Sequence, residues 1–151
     1  MAAASLLAQA IRLLARREYA RAELEQKLIA KGWGRVEVRI ALDELATRGY
    51  LSDARYAEAI AAQRAGGYSR RRIAEELKAR GVARSDIETA LAGAEIDDDA
   101  ALRALWQRRF GRAPGNEREK ARQVRFLQAR GFALSTILRF LRSADAHELD
   151  S

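Results

Sequence analysis

Three stretches of this chain close with a base, a glycine and an apolar residue: Lys31-Gly32-Trp33, Arg80-Gly81-Val82 and Arg130-Gly131-Phe132. Their glycines lie 49 and 50 residues apart. Around each glycine the register continues. Four residues before it stands a leucine (Leu28, Leu77, Leu127), six after it a β-branched residue (Val38, Ile87, Ile137), and ten after it another leucine (Leu42, Leu91, Leu141). A helical chain rich in Leu, Ala and Arg shows chance leucine spacings, but chance does not align three glycines with matched neighbours on both sides. A period of this size marks tandem supersecondary units, each too small to bury its apolar face alone.

The middle copy shows the grammar of a unit. Gly66 and Gly67 break the preceding helix, Ser69 is placed to cap the next, and Ile73, Ala74 and Leu77 fall on one helical face. Gly81 suits the left-handed residue that ends a helix. In the first unit, a helix over 5–17 is expected to bury Leu6, Leu7, Ala10, Ile11, Leu13 and Leu14, leaving Arg12, Arg16 and Arg17 in water. Helices over 21–31 and 35–48 complete it, the last carrying Val38, Ile40, Leu42 and Leu45. Gly49 ends that helix and Ser52 or Asp53 caps the next, with Tyr50 and Leu51 packing unit against unit. The second unit opens with a helix over 53–64 and closes with a short one over 86–91, for which Ser85 and Glu88 form a capping box. Asp97, Asp98 and Asp99 suit a helix start, where the dipole favours anions; three adjacent aspartates on a helix cannot all face one metal ion.

In the third unit, Leu102, Leu105, Trp106 and Phe110 lie on a helix ending at Gly111, residues 111–116 form a loop, and Asn116 with Glu119 caps a helix over 117–130. Ser135 is expected to cap the last helix, and Asp145 to Ser151 reads as a polar tail in which His147 is a bystander. The expected fold is therefore all-α, an elongated array of three tandem three-helix repeats over 1–50, 51–96 and 97–144, with a tail over 145–151. One proline and no alternating β-branched run argue against any sheet.

The chain has no cysteine, so disulfides and thiolate metal sites are excluded, and a cytoplasmic protein is expected. Its start is apolar but short and runs into Arg12 and Arg16 at helical spacing, which reads as a first helix; no apolar run reaches the roughly 20 residues of a membrane span. Catalysis finds no support. The one histidine lies in the tail, no nucleophile has a base at hand, and no glycine-rich nucleotide loop is present. No cofactor, metal or catalytic residue is expected, and the protein is read as a monomer and not as an enzyme. What remains is binding. The net charge of +7 points to an anionic partner, and its distribution is uneven. Residues 1–50 hold nine bases and six acids, 51–98 eight and nine, and 99–151 eleven and six. Arg70, Arg71 and Arg72 at a helix start, and Arg108, Arg109, Arg112, Arg118, Arg122 and Arg125 in the last unit, are the candidate contacts to nucleic acid or to an acidic protein groove.

Over nearly its whole length the chain resembles the RecX family, regulators of the bacterial recombinase RecA. The resemblance rests on Gly49-Tyr50-Leu51-Ser52-Asp53-Ala54-Arg55-Tyr56-Ala57, on Gly67-Tyr68-Ser69 with Ile73, Glu76-Leu77 and Arg80-Gly81-Val82, and on Arg130-Gly131-Phe132 with Ile137. It implies three helical repeats and a protein that lodges in the groove of the RecA nucleoprotein filament. There it would block filament growth, ATP hydrolysis, strand exchange and LexA cleavage, with single- or double-stranded DNA as a further contact. The nine arginines are chosen by charge and are not family motif residues. The alternatives are a helix-turn-helix DNA-binding regulator without recombinase contact, for which no helix is marked as the base reader, and a scaffold for another acidic protein surface.

Overall fold

The computed structural model describes residues 3–149, with side chains for 5–145. Among these residues it is wholly helical. The first unit comprises α1 (Ala3–Arg16), α2 (Arg21–Ala30) and α3 (Arg35–Thr47); the second α4 (Asp53–Arg64), α5 (Arg70–Ala79) and α6 (Arg84–Gly93); the third α7 (Asp98–Arg109), α8 (Glu117–Ala129) and α9 (Leu134–Leu149). The second helix of each unit ends in the same two-bond cap. The residue after the glycine donates its N–H to the leucine five positions back: Trp33 to Leu28 (3.3 Å), Val82 to Leu77 (3.1 Å) and Phe132 to Leu127 (3.2 Å). The glycine itself donates to Ile29, Lys78 or Gln128, and its φ of +104°, +82° or +97° is the left-handed value that a Cβ disfavours. The matched leucine and the apolar residue after the glycine are thus the two ends of one hydrogen-bonded turn, with the glycine inside it.

Several helix starts follow the side chains expected of them. Ser69 Oγ accepts from the Arg72 N–H (3.1 Å), Ser52 Oγ from Arg55 (3.2 Å), Asn116 Oδ1 from Glu119 (2.9 Å), and Asp97 Oδ1 from Asp99 and Ala100. Two do not. Helix α6 begins at Arg84 with Ala83 as its uncapped flank, so Ser85 lies inside the first turn, where its carbonyl accepts from Thr89 Oγ1 (2.9 Å). Helix α9 begins at Leu134 with the Ala133 carbonyl taking its first bond, and Ser135 is again internal. The cause is common to both: Val82 and Phe132 must enter the core directly after the glycine, so the chain turns at once and the helix restarts two residues on. Helix α9 also continues through Leu149, where a polar tail from Asp145 is expected; the side chain of His147 and residues 150–151 lie outside the described residues.

Each unit has its own apolar core: Leu6, Ala10, Leu24, Leu28, Leu42 and Leu45 in the first, Tyr56, Ala61, Ile73, Leu77, Ile87 and Leu91 in the second, Leu102, Trp106, Leu127, Phe132, Ile137 and Leu141 in the third. Leu51 is buried as expected of a junction residue, whereas Tyr50 is half exposed. Ile40 faces solvent with Val36, because the buried stripe of α3 runs through Val38, Ala41, Leu42 and Leu45.

The units are joined by one device used twice. The C-terminal glycine of α5 abuts the N-terminus of α2, and that of α8 abuts the N-terminus of α5. A Cβ on Gly81 would lie 3.0 Å from the Cβ of Ala22, and one on Gly131 would collide with Ser69 Oγ and come within 2.5 Å of Arg72 Cβ. At each joint an aspartate from the next unit's first helix binds a free amide at the same N-terminus: Asp53 Oδ1 takes the Arg21 N–H and Asp98 Oδ1 the Arg70 N–H, both at 2.7 Å. Arg80 reaches Glu23 of the first unit (3.2 Å), and the Ser69 N–H donates to the Arg130 carbonyl (2.9 Å). Gly32 has nothing within 4 Å of the position its Cβ would take.

This difference between equivalent glycines is measurable by urea unfolding. Gly32→Ala carries only the left-handed backbone penalty, about 1–2 kcal/mol. Gly131→Ala adds overpacking against Ser69 and Arg72, a further ~1–3 kcal/mol. Equal losses at the two positions would show that the close approach at the second joint is not present in solution.

Candidate interaction surface

The joint between the second and third units is lined by a ladder of cations and rings. The Arg64 guanidinium lies 5.7 Å from the Tyr68 ring centre, Arg130 lies 4.8 Å from Tyr68 and 5.3 Å from Phe126, and Arg109 lies 5.2 Å from Phe126. Phe110 meets Phe126 edge to face at 5.5 Å. Arg130 and Arg108 also donate to the Gly67 and Gly66 carbonyls, both at 3.3 Å. The turn before α5 is therefore clasped by two arginines from the third unit. Beneath the ladder, Arg64 makes a two-bond bridge to Glu76 (3.0 and 3.1 Å) that ties α4 to α5. That hydrogen bond holds the Glu76 carboxyl below its usual range against the opposing effect of partial burial, and raises the Arg64 guanidinium. Burial, foremost, raises the Tyr56 hydroxyl in the same core.

The nine arginines singled out by charge separate into groups. Arg70, Arg71 and Arg72 are exposed at the start of α5, but the Ser69, Arg70 and Arg72 amides there are already taken by the Arg130 carbonyl, Asp98 and Ser69 Oγ. Their side chains remain exposed, and Arg71 is shared with Glu75 at 3.7 Å. Arg108 serves the joint and Arg109 the ladder. Arg112 is exposed in the loop before α8, its carbonyl accepting from Gln123 Nε2 (3.2 Å). Arg118, Arg122 and Arg125 stand four and three residues apart on the solvent side of α8, all exposed, and no ion pair engages them among the described residues. This stripe is the set's run of three on one helix face; Arg70, Arg72 and Arg112 are likewise exposed with no ion pair among the described residues.

Gln123 was not evident from the sequence. It occupies the place that Leu24 and Ile73 hold in the other units and is buried. Its Oε1 accepts from Trp106 Nε1 (2.9 Å) while its amide nitrogen holds the loop carbonyl of Arg112, so one polar side chain satisfies the indole and anchors the loop that leads into α8. A buried glutamine where the repeat calls for an aliphatic residue is the signal that could have found it. Among the described residues no cluster of three His, Asp or Glu could hold a metal ion, and no helix is long and apolar enough to cross a membrane.

Comparison with known proteins places all three units. Family models for the first, second and third three-helix domains of RecX match residues 7–45, 52–91 and 97–141. The chain is 49% identical over 138 residues to the regulatory protein RecX of Ectopseudomonas mendocina, covering 90% of this chain and 92% of that one. It is 40% identical over 146 residues to that of Leptothrix cholodnii, covering 97% and 92%. The crystal structure of RecX from Lactobacillus salivarius superposes with a TM-score of 0.70 at 17% identity, covering 95% of this chain and 97% of that chain. A second RecX crystal structure gives 0.73 over 93% and 73%. These two likenesses bear on the fold.

The Arg64–Glu76 bridge makes a prediction of defined sign. A carboxyl lowered by folding contributes stability that is complete above its unfolded pKa, near 4.3, and is lost as pH falls through its lower folded value. Glu76→Gln should lower the melting temperature at pH 7 by about 2–4 °C. The gap to the parent should narrow as pH falls below the usual carboxylate range and close at the pH where the Glu76 carboxyl is protonated in the folded protein. A gap that persists unchanged at that pH would assign the loss to packing.

Proposed function

Because the chain belongs to the RecX family, we propose that it is a non-catalytic regulator of the RecA recombinase. In this reading it docks in the helical groove of the RecA nucleoprotein filament and blocks filament extension, ATP hydrolysis, strand exchange and LexA cleavage. The observation that carries the reading beyond family membership is the free cationic stripe of Arg118, Arg122 and Arg125 on α8, at the basic end of the array. Acidic groove walls or DNA phosphates are its natural complement, and attraction of this kind weakens in salt. Three units linked by fixed joints can engage neighbouring recombinase subunits together, so that avidity favours filament over free subunit.

The test is DNA-dependent ATP hydrolysis by RecA on single-stranded DNA, titrated with the parent and with Arg118→Glu/Arg122→Glu/Arg125→Glu, while coverage of the bare DNA is followed in parallel. The parent should stop hydrolysis at well below one molecule per recombinase subunit with the DNA still uncovered. The triple variant should need at least about ten times more protein, a loss of ~1.4 kcal/mol, with its helicity unchanged. Hydrolysis that falls only as the protein coats the DNA would favour a plain DNA-binding regulator, and equal potency of the variant would remove the stripe from the binding surface.

A further inference from the structure

The three units share one scaffold, so each serves as a control for the others, and one groove differs among them. Between the first and third helices of the second unit, the facing core positions are Ala61 and Ala90, both buried. The equivalent residues of the third unit are Trp106 and Phe140, whose rings meet edge to face at 5.2 Å. Two large rings in place of two methyl groups prop α7 and α9 apart, and a groove of about 310 Å³ opens over them.

The lining of that groove has changed along with its width. Arg103, Thr136, Arg139 and Ser143 face into it, with Phe140 in its floor. In the second unit the same places hold Glu58, Asp86, Thr89 and Gly93. A carboxylate has become a guanidinium, a second carboxylate a hydroxyl, and a threonine a guanidinium. Neither Arg103 nor Arg139 has an ion-pair partner among the described residues, and the Thr136 and Ser143 hydroxyls make no hydrogen bond there, whereas Thr47 and Thr89 bond back to their own helices. Arg103 lies 5.8 Å from the Phe140 ring centre, which orients the guanidinium along the floor. Asp99 closes one end, a single carboxylate against two guanidinium groups.

We infer that the α7–α9 groove is a phosphodiester site for the backbone of single-stranded nucleic acid. Two guanidinium groups and two unengaged hydroxyls around an aromatic floor offer more donors than one carboxylate accepts, and they match a phosphate with its adjoining base. The site stands apart from the α8 stripe. It rests on the filament reading only in that a nucleoprotein filament would supply the strand, and the assay below contains no recombinase.

The experiment measures binding of the full chain to a fluorescein-labelled 30-nucleotide oligothymidylate by anisotropy across a salt series. Arg103→Gln/Arg139→Gln should weaken binding about tenfold at low salt and flatten the salt slope by ~0.7 for each phosphate no longer neutralised. Arg16→Gln/Arg35→Gln, which removes the same charge from exposed sites in the first unit, should change affinity less than about threefold. Asp99→Asn removes the carboxylate alone and should tighten binding about two- to threefold by relieving like-charge repulsion. It keeps the test open should the double variant fail to fold, which circular dichroism reports. Equal losses in the two double variants, an Asp99→Asn variant no tighter than the parent, or displacement of the strand by polyglutamate as readily as by unlabelled oligothymidylate would each overturn the assignment. A groove variant that loses strand binding but still inhibits RecA would leave the filament reading standing. Loss of strand binding in the groove variant, with a parent chain that leaves RecA hydrolysis untouched, would keep the groove and tell against the filament.

Discussion

The contact on which the rest of the molecule depends is the end-to-end meeting of the second helices. The C-terminus of α8 meets the N-terminus of α5, and the C-terminus of α5 meets that of α2. Such an arrangement sets the negative end of one helix dipole against the positive end of the next. It is possible only because a glycine stands where the backbones approach. The aspartate at each joint adds a charged acceptor to the same N-terminus, at 2.7 Å from the Arg21 and Arg70 amides. Amides that a helix start leaves unpaired are thus given partners by the adjoining unit. The small separate cores of the three units are thereby aligned in series. In the third unit α8 supplies its own acids, with Glu117 and Glu119 in the first turn and Asn116 as cap.

Much of this architecture was legible in the sequence because it repeats. Three copies of a leucine, a base and a glycine at constant distance specify the turn, and Ser52, Ser69, Asp97 and Asn116 announce helix starts in the residues themselves. Ser85 and Ser135 misled because a serine that follows a turn looks the same two residues inside a helix as at its edge. What decided the matter was the demand that Val82 and Phe132 be buried, a tertiary constraint. The glycines were legible as helix stops but not as joints, since the second role depends on an atom 50 or more residues away in the chain. Ile40 read as core by its chemistry; only the packing of α3 shows that the buried stripe passes it by.

The charge of the third unit was equally plain in number and equally obscure in placement. Arg108 and Arg109 are spent on the fold, one on the Gly66 carbonyl and one on the Phe126 ring. Arg118, Arg122 and Arg125 could be recognised as a stripe from helical spacing alone. Arg103 and Arg139 could not be associated, because 36 residues separate them and their convergence depends on Trp106 and Phe140 holding two helices apart. Aromatic residues at core positions read as packing in any sequence. Their consequence for the surface appears only when the same positions are alanines in the neighbouring unit.

That comparison also explains how a repeat protein can face one way. The positions that build each unit, such as Val38, Ile87 and Ile137 or Leu42, Leu91 and Leu141, are held by the core and cannot drift far. The outward positions of the third helices carry no such constraint, and they diverge in order along the array: Val36 and Ile40 on α3, Ser85 and Thr89 on α6, Ser135 and Arg139 on α9. At these positions the first unit is apolar and the third carries a guanidinium, on a single scaffold whose joints fix the order. The difference needs no change to the fold, since a guanidinium and an isoleucine occupy the same place with equal ease on an exposed helix face.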